Sequence, residues 1–197
     1  MSKAAFSILF ALISIVIGCS SPPTKDPHVV IKTGWGDIEV ELYPEKAPKT
    51  VAAFLSYIDS GLYKKASFYR VLNDENQFTG VPHAFLIQGG IWQTDHSRAV
   101  SVPGVPHEST RETGILHTNG TISLAREAPG TGGTEFFICI GDQHGFDFGG
   151  DNNPDGQGNA AFGRVVKGME VVKKIYHQPE YNQRFDPPVS IDKIVRK

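Results

Sequence analysis

The sequence predicts a mainly β protein, a closed eight-stranded antiparallel barrel capped by two α-helices. Three observations lead there. Short apolar segments with strand character recur eight times, only two segments carry a helical period, and 21 glycines and 13 prolines among 197 residues supply turns without any collagen-like repeat. Neither helical segment sits as a regular crossover between strands, which argues against a doubly wound parallel sheet. The length suits one domain with short appendages.

Taken in order, Val29 and Ile31 form a first strand, and Ile38, Val40 and Leu42 alternate with Glu39 and Glu41 in a second. The Gly34 to Asp37 stretch between them reads as a hairpin turn. The period then changes: Val51, Phe54, Leu55 and Ile58 fall on one helical face, with Pro48 at the start and Gly61 past the end. Further strands are predicted at Phe68 to Leu72, Phe85 to Gln88, Thr121 to Ala125, Glu135 to Ile140, Ala160 to Val166 and Ser190 to Val195. Met169, Val172, Ile175 and Tyr176 mark the second helix. Two connections, 73–83 and 94–119, exceed ordinary loop length. Eight strands make a barrel narrow enough to fill with side chains, so a binding site belongs on its outer wall or rim.

The N-terminus reads as an address. Basic Lys3 precedes an apolar run from Ala4 to Ile17, too short to span a bilayer, where about twenty residues are needed. Val16, Ile17, Gly18 and Cys19 resemble the bacterial lipobox, which implies removal of residues 1–18 and lipidation of Cys19. A plain secretory signal or an uncleaved anchor is the alternative. Two or three acyl chains would hold the chain on a membrane, where a single one binds marginally. Residues 19–27 then form the lipidated N-terminus and tether, polar and proline-containing, and 28–197 the folded domain. Ser20 resembles outer-membrane sorting signals, so the expected location is the bacterial cell envelope, on the periplasmic face of the outer membrane. The second cysteine, Cys139, lies in an apolar strand, and no disulfide is expected.

Several chemistries are excluded. A net charge of −2 gives no footprint for nucleic acid. There is no GxSxG elbow, and the run from His107 to Arg111 lacks the second histidine of a zinc helix. Pro129 to Glu135 is glycine-rich but precedes a strand, so it reads as a turn and not a phosphate cradle. Seven histidines lack ligand spacing and read as surface or loop residues. Asp151 to Gly156 matches the first half of a calcium loop, but position 12 is Phe162, and a Gly/Asn/Asp turn explains it better. No metal or other cofactor is expected.

Strand patterning is broken at a few informative places. The period of two puts Arg70 on one face with Phe68 and Leu72, where a guanidinium needs a partner or water. Leu86 and Gln88 share a face of the following strand, and EFFICI is apolar on both faces. One of those faces is core, and the other must be wet or line a pocket.

The segments GDIEVELYPEKAPKTVAAFLSYIDSGLY, SFYRVL, FLIQGG, GTISLAREAPGTGGTEFFICIGD and AAFGRVVKGMEVVKKI, in this order, resemble the cyclophilin family of peptidyl-prolyl cis-trans isomerases over most of residues 28–196. The resemblance implies an external groove for Xaa-Pro peptides. Arg70 aligns with the catalytic arginine, Gln88 with the glutamine that orients it or contacts the rotating amide, and Phe85, Leu86 and Phe137 with the wall gripping the proline ring. Ala125, Arg126, Phe146 and Asn159 fall at substrate-binding positions. Three positions depart from the best-known pattern: Arg126 replaces an asparagine, Gly145 a tryptophan, and Asn159 a histidine or tyrosine. The change at Gly145 implies weak cyclosporin binding, and Asn159 a more open, polar proline pocket. The expected partners are proline-containing unfolded or exported polypeptides, met by a monomer. The competing expectations are a catalytically weak peptide-binding or chaperone module on the same fold, and a calcium-stabilised interaction protein resting on the 151–156 loop.

Overall fold

The alternation at the start of the domain builds a hairpin. In the computed structural model, which describes residues 26–197, β1 (His28–Thr33) pairs antiparallel with β2 (Gly36–Leu42), His28 opposite Glu41 and Thr33 opposite Gly36. The predicted signal peptide, Cys19 and most of the predicted tether lie outside the described residues. After α1 (Pro48–Asp59) and a short 3₁₀ turn come β3 (Ser67–Leu72), β4 (Leu86–Gly90), α2 (His96–Ser101), α3 (Thr110–Thr113), β5 (Thr121–Leu124) and β6 (Phe136–Cys139). The chain ends with β7 (Ala160–Lys167), α4 (Met169–Tyr176), β8 (Glu180–Tyr181) and β9 (Arg184–Arg196).

Neighbours run β1-β2-β7-β5-β6-β4-β3-β9, and a further pairing of β1 with β9 closes the ring. These are the eight predicted strands, antiparallel throughout, with the two-residue β8 added to β9. The interior is filled with fully buried side chains, among them Ile31, Ile38, Phe68, Phe136, Ile138 and Phe162. Phe54 of α1 enters the same core and meets the rings of Tyr63, Phe136 and Phe162 at centroid distances of 5.5, 5.7 and 5.0 Å. Val172 and Ile175 bring the apolar face of α4 into it as well.

Three elements differ from the sequence expectation. α2 buries none of its residues, so it has no apolar stripe for a periodicity to show. α3 is a single turn, held by a capping box between Ser109 and Glu112. β9 begins six residues before its predicted start, because Asp186 to Val189 carries the strand through Pro187 and Pro188. The long 94–119 connection has a structural use: the buried Glu108 carboxylate accepts from the N–H groups of Lys49 (3.1 Å) and Thr50 (2.8 Å) and the Thr50 hydroxyl (2.7 Å). It caps α1, whose own N-cap residue, Ala47, has no side chain for the task. No helix among the described residues is long and apolar enough to cross a membrane.

The two ends of the domain are tied at one carboxylate. Glu39 on β2 accepts from Lys197 at 2.9 and 2.8 Å and contacts His28 Nδ1 at 2.7 Å. The Lys197 and then the His28 bonds hold its carboxyl at about 2. A folded-state value below the unfolded one means stability that is full above the ordinary carboxylate range and is lost as pH falls toward 2. Between about pH 5 and pH 2, melting temperature should therefore decline less steeply in Glu39→Gln than in the wild type. Equal slopes in a pH series of thermal melts would remove the assignment.

Candidate active site

Strand register sets three of the predicted residues, Arg70, Gln88 and Phe137, in one row across neighbouring strands. Arg184 on β9 lies opposite Arg70 on β3, Arg70 opposite Gln88 on β4, Gln88 opposite Phe137 on β6, and Phe137 opposite Ser123 on β5. The simple period of two for β3 is corrected. A bulge between Phe68 and Arg70 leaves Tyr69 unpaired, so Phe68 joins the barrel core while Tyr69 and Arg70 both face the groove. A bulge re-aims side chains without changing the apolar character of a strand, which is why alternation misplaced Phe68.

Arg70, Gln88 and Ala125 line an open groove of about 550 Å3, together with Tyr69, Trp92 and Gln183. Arg70 Nη1 donates to Gln88 Oε1 at 3.1 Å, and Gln88 Nε2 donates to the Tyr69 hydroxyl at 2.7 Å. The opposite edge of the guanidinium is held by Gln183, whose Oε1 accepts from Nη2 at 2.8 Å and Nε at 3.2 Å. Burial lowers the pKa of Arg70 from its ordinary value, but a guanidinium stays charged at neutral pH. Burial likewise pushes the Tyr69 phenol up, so it remains a neutral partner. Behind them Glu135 Oε1 accepts from Ile91 N, Trp92 N and the Thr134 hydroxyl at 2.9 to 3.0 Å, fixing the end of β4. Gly90 is required there, since a side chain at its φ of 147° would run into that carboxylate.

Beside the groove, outside the barrel core, lies a separate apolar cluster of Leu72, Ala84, Leu86, Phe137 and Cys139, with Ala125 and Phe146 against it. Ala125 borders both. EFFICI thus divides as expected, Phe136 and Ile138 inward and Phe137 and Cys139 outward. Cys139 is free and buried. Phe137 meets Phe146 at 5.0 Å and stacks on His117 at 5.9 Å. Phe85 is half-buried just before β4 and belongs to neither cluster; its N–H donates to Gln143 Oε1 at 3.0 Å.

His117 is not the surface residue its spacing suggested: it is fully buried. Its backbone N–H donates to Asp147 Oδ1 at 2.9 Å, Nδ1 lies 2.7 Å from the same oxygen, and Nε2 lies 2.9 Å from the Ser123 hydroxyl. Burial pushes the Asp147 carboxyl up, but hydrogen bonds from His117 and His144 outweigh it and the net pKa is lowered. Burial lowers that of His117. The ionised carboxylate only accepts, so Nδ1 donates to it and Nε2 accepts from Ser123. The order Ser–His–Asp is that of a hydrolase triad, yet Ser123 is fully buried and unreachable by substrate. The three residues brace Phe137.

Two expected groove residues work in the scaffold. Arg126 turns its guanidinium away and binds Asp155 through two bonds of 2.7 and 2.8 Å, with Nε donating to Gly158 O at 2.8 Å. Asn159 is buried, donates to Leu124 O at 2.9 Å and accepts from Asn153 Nδ2 at 2.8 Å, so both ends of its amide are used. Its buried amide is engaged with the scaffold, between β5 and the 151–156 segment. Arg126 also claims the carboxylate of Asp155, and the described residues contain no cluster of ligands able to hold a metal ion. The 151–156 segment is a turn fastened to Arg126.

Comparison with known proteins agrees with the fold and shows the family. The family model described as cyclophilin type peptidyl-prolyl cis-trans isomerase/CLD matches residues 28–196. The chain is 33% identical over 177 residues to peptidyl-prolyl cis-trans isomerase A of Dickeya dadantii, covering 89% of this chain and 85% of the relative. It is 34% identical over 155 residues to peptidyl-prolyl cis-trans isomerase B of Escherichia coli, covering 75% and 82%. The crystal structure of a cyclophilin type isomerase of Cryptosporidium parvum superposes with a TM-score of 0.67 at 22% identity, over 87% of this chain and 98% of that one. The same protein has been crystallised in the presence of the dipeptide Ala-Pro.

Proposed function

This chain belongs to the cyclophilin-type peptidyl-prolyl cis-trans isomerases, and we propose that it turns over Xaa-Pro bonds of exported polypeptides in the bacterial cell envelope, held to the membrane by a lipid on Cys19. The observation that carries the catalytic half of this reading is a guanidinium held by fixed amides on two edges at the wall of an open groove.

The chemistry needs no broken bond. Amide resonance imposes a barrier of roughly 20 kcal/mol, and catalysis requires binding the twisted amide better than either planar form. As the bond twists, the prolyl nitrogen regains its lone pair, and Arg70 donates to it. The guanidinium keeps its protons, so it acts by electrostatic stabilisation and not acid–base transfer. Gln88 fixes one edge of Arg70 and faces the rotating amide. Phe137, Leu86 and Phe146 hold the proline ring while the residue before it turns, with Ala125 and the backbone of Arg126 aligning the peptide and Phe85 at the margin.

Weak cyclosporin binding belongs to the same reading. A side chain on Gly145 would begin 2.6 Å from the Asn152 side-chain amide, which occupies the space an indole would need. Tight inhibition of the wild type by cyclosporin would remove this part. The envelope location rests on Lys3, the apolar run and the sequence Val16 to Cys19. Its test is expression of the full chain in a bacterium. The wild type should sediment with membranes carrying acylated Cys19, visible by mass spectrometry, and Cys19→Ser should be released. Membrane retention of an unacylated Cys19→Ser chain would favour an uncleaved anchor.

A further inference from the structure

Gln183 stands at a position where glutamine is costly. β8 and β9 are joined by the two-residue turn Asn182 and Gln183, with φ of 50° and 68°. Both central residues of such a turn must be left-handed, which favours glycine and asparagine. In that conformation an ordinary side chain's Cβ crowds the following carbonyl oxygen. Glutamine therefore needs a reason beyond closing the hairpin.

Every polar group of this residue is engaged. Its N–H donates to Glu180 Oε2 at 2.8 Å, and its carbonyl accepts from Val71 N at 2.9 Å, next to Arg70 in sequence. Its Nε2 donates to Asn76 O at 3.0 Å, a carbonyl that can only accept, so the amide cannot be flipped. Its Oε1 is thereby turned onto the Nε and Nη2 of Arg70 at 3.2 and 2.8 Å. With Gln88 on Nη1, three of the five guanidinium N–H groups are occupied, and two have no partner among the described residues. Gln88 alone leaves the plane free to rotate about its single bond. A second acceptor on the far edge stops that rotation.

We infer that Gln183 is a positioning residue for the isomerase reaction: it locks the plane of Arg70 so that the two remaining donors face the prolyl nitrogen and carbonyl of the bound peptide. This rests on Arg70 being the catalytic arginine. Positioning a donor before the amide twists lowers the barrier without tightening substrate binding, so the effect belongs in kcat.

Gln183→Gly separates this role from a structural one, because glycine suits φ of 68° and leaves the hairpin at least as comfortable. With a cis-Xaa-Pro peptide, kcat should fall about tenfold or more with KM little changed, while the melting temperature holds or rises. Gln183→Glu keeps an acceptor for both donors but faces Asn76 O with a carboxylate oxygen in place of Nε2, so it should recover part of the activity lost in Gln183→Gly. In NMR spectra of the wild type, the Arg70 Nε–H should exchange slowly, and in Gln183→Gly quickly. Wild-type kcat in Gln183→Gly, or an Nε–H equally protected in both, overturns the inference. A wild type without isomerase activity would sink the isomerase reading instead, and the exchange measurement would still decide whether Gln183 immobilises Arg70.

Discussion

Arg70→Ala is expected to lower kcat/KM for an Xaa-Pro peptide by about 10²–10³ and to leave the fold intact. That magnitude is what removing one preorganised donor from a developing charge costs in other active sites. An acceleration of about 10⁵ over the uncatalysed bond needs roughly 7 kcal/mol, so this one group carries about half of it. The remainder comes from holding the proline ring against Phe137 and Leu86. Stability should change little, because Gln88 and Gln183 face an open groove where water can replace the guanidinium. Arg70→Lys should be nearly as damaging, since an ammonium cannot satisfy two amides on separate edges and still present a flat pair of donors. Proline-limited refolding and peptide isomerisation, run beside thermal melts, check both halves. Wild-type rates in Arg70→Ala would remove Arg70 from the chemistry, and peptide binding without isomerisation by the wild type would favour the alternative of a binding module.

The barrel was legible because each strand carries its own signal. Alternation in β2, apolar runs in β4 and β6, and turn residues between them are local, and closure follows from their number. Arg70 was visible as a charge inside an apolar strand, and Gln88 as an amide beside it. What stayed hidden depends on partners far away in the chain. Gln183 meets Arg70 across 113 residues and Glu108 meets Thr50 across 58, and no spacing rule connects either pair. His117 reads as a loop histidine because its partner Asp147 lies 30 residues on. The bulge at Tyr69 leaves the strand's composition unchanged, so alternation placed Phe68 on the wrong side. The burial of Asn159 is likewise tied to a partner 35 residues away, the Leu124 carbonyl to which its amide donates.

Glu108→Ala should destabilise the protein by about 3 kcal/mol without touching the groove. Two N–H groups at the start of α1 and the Thr50 hydroxyl all donate to this one carboxylate. Hydrogen bonds to a charged acceptor are worth about 1.5–3 kcal/mol each, and a buried donor left without one pays its desolvation in full. Thr50 is fully buried, so water cannot easily take the place of the carboxylate. The negative charge also faces the positive end of the α1 dipole. The three bonds share one acceptor group, so their loss is less than additive. For a domain of this size the cost corresponds to a fall of roughly 6–12 °C in melting temperature. Glu108→Gln keeps an acceptor oxygen but loses the charge, and should fall between the alanine variant and the wild type. Below their melting temperatures both variants should isomerise peptides at the wild-type rate, because α1 buries Phe54 in the core and contributes nothing to the groove wall. An alanine variant that melts with the wild type would mean that α1 is capped by water and that the 94–119 connection is dispensable to the fold. A variant that is stable but slow would instead place the connection within the catalytic machinery, through the α2 residues it lays along the groove.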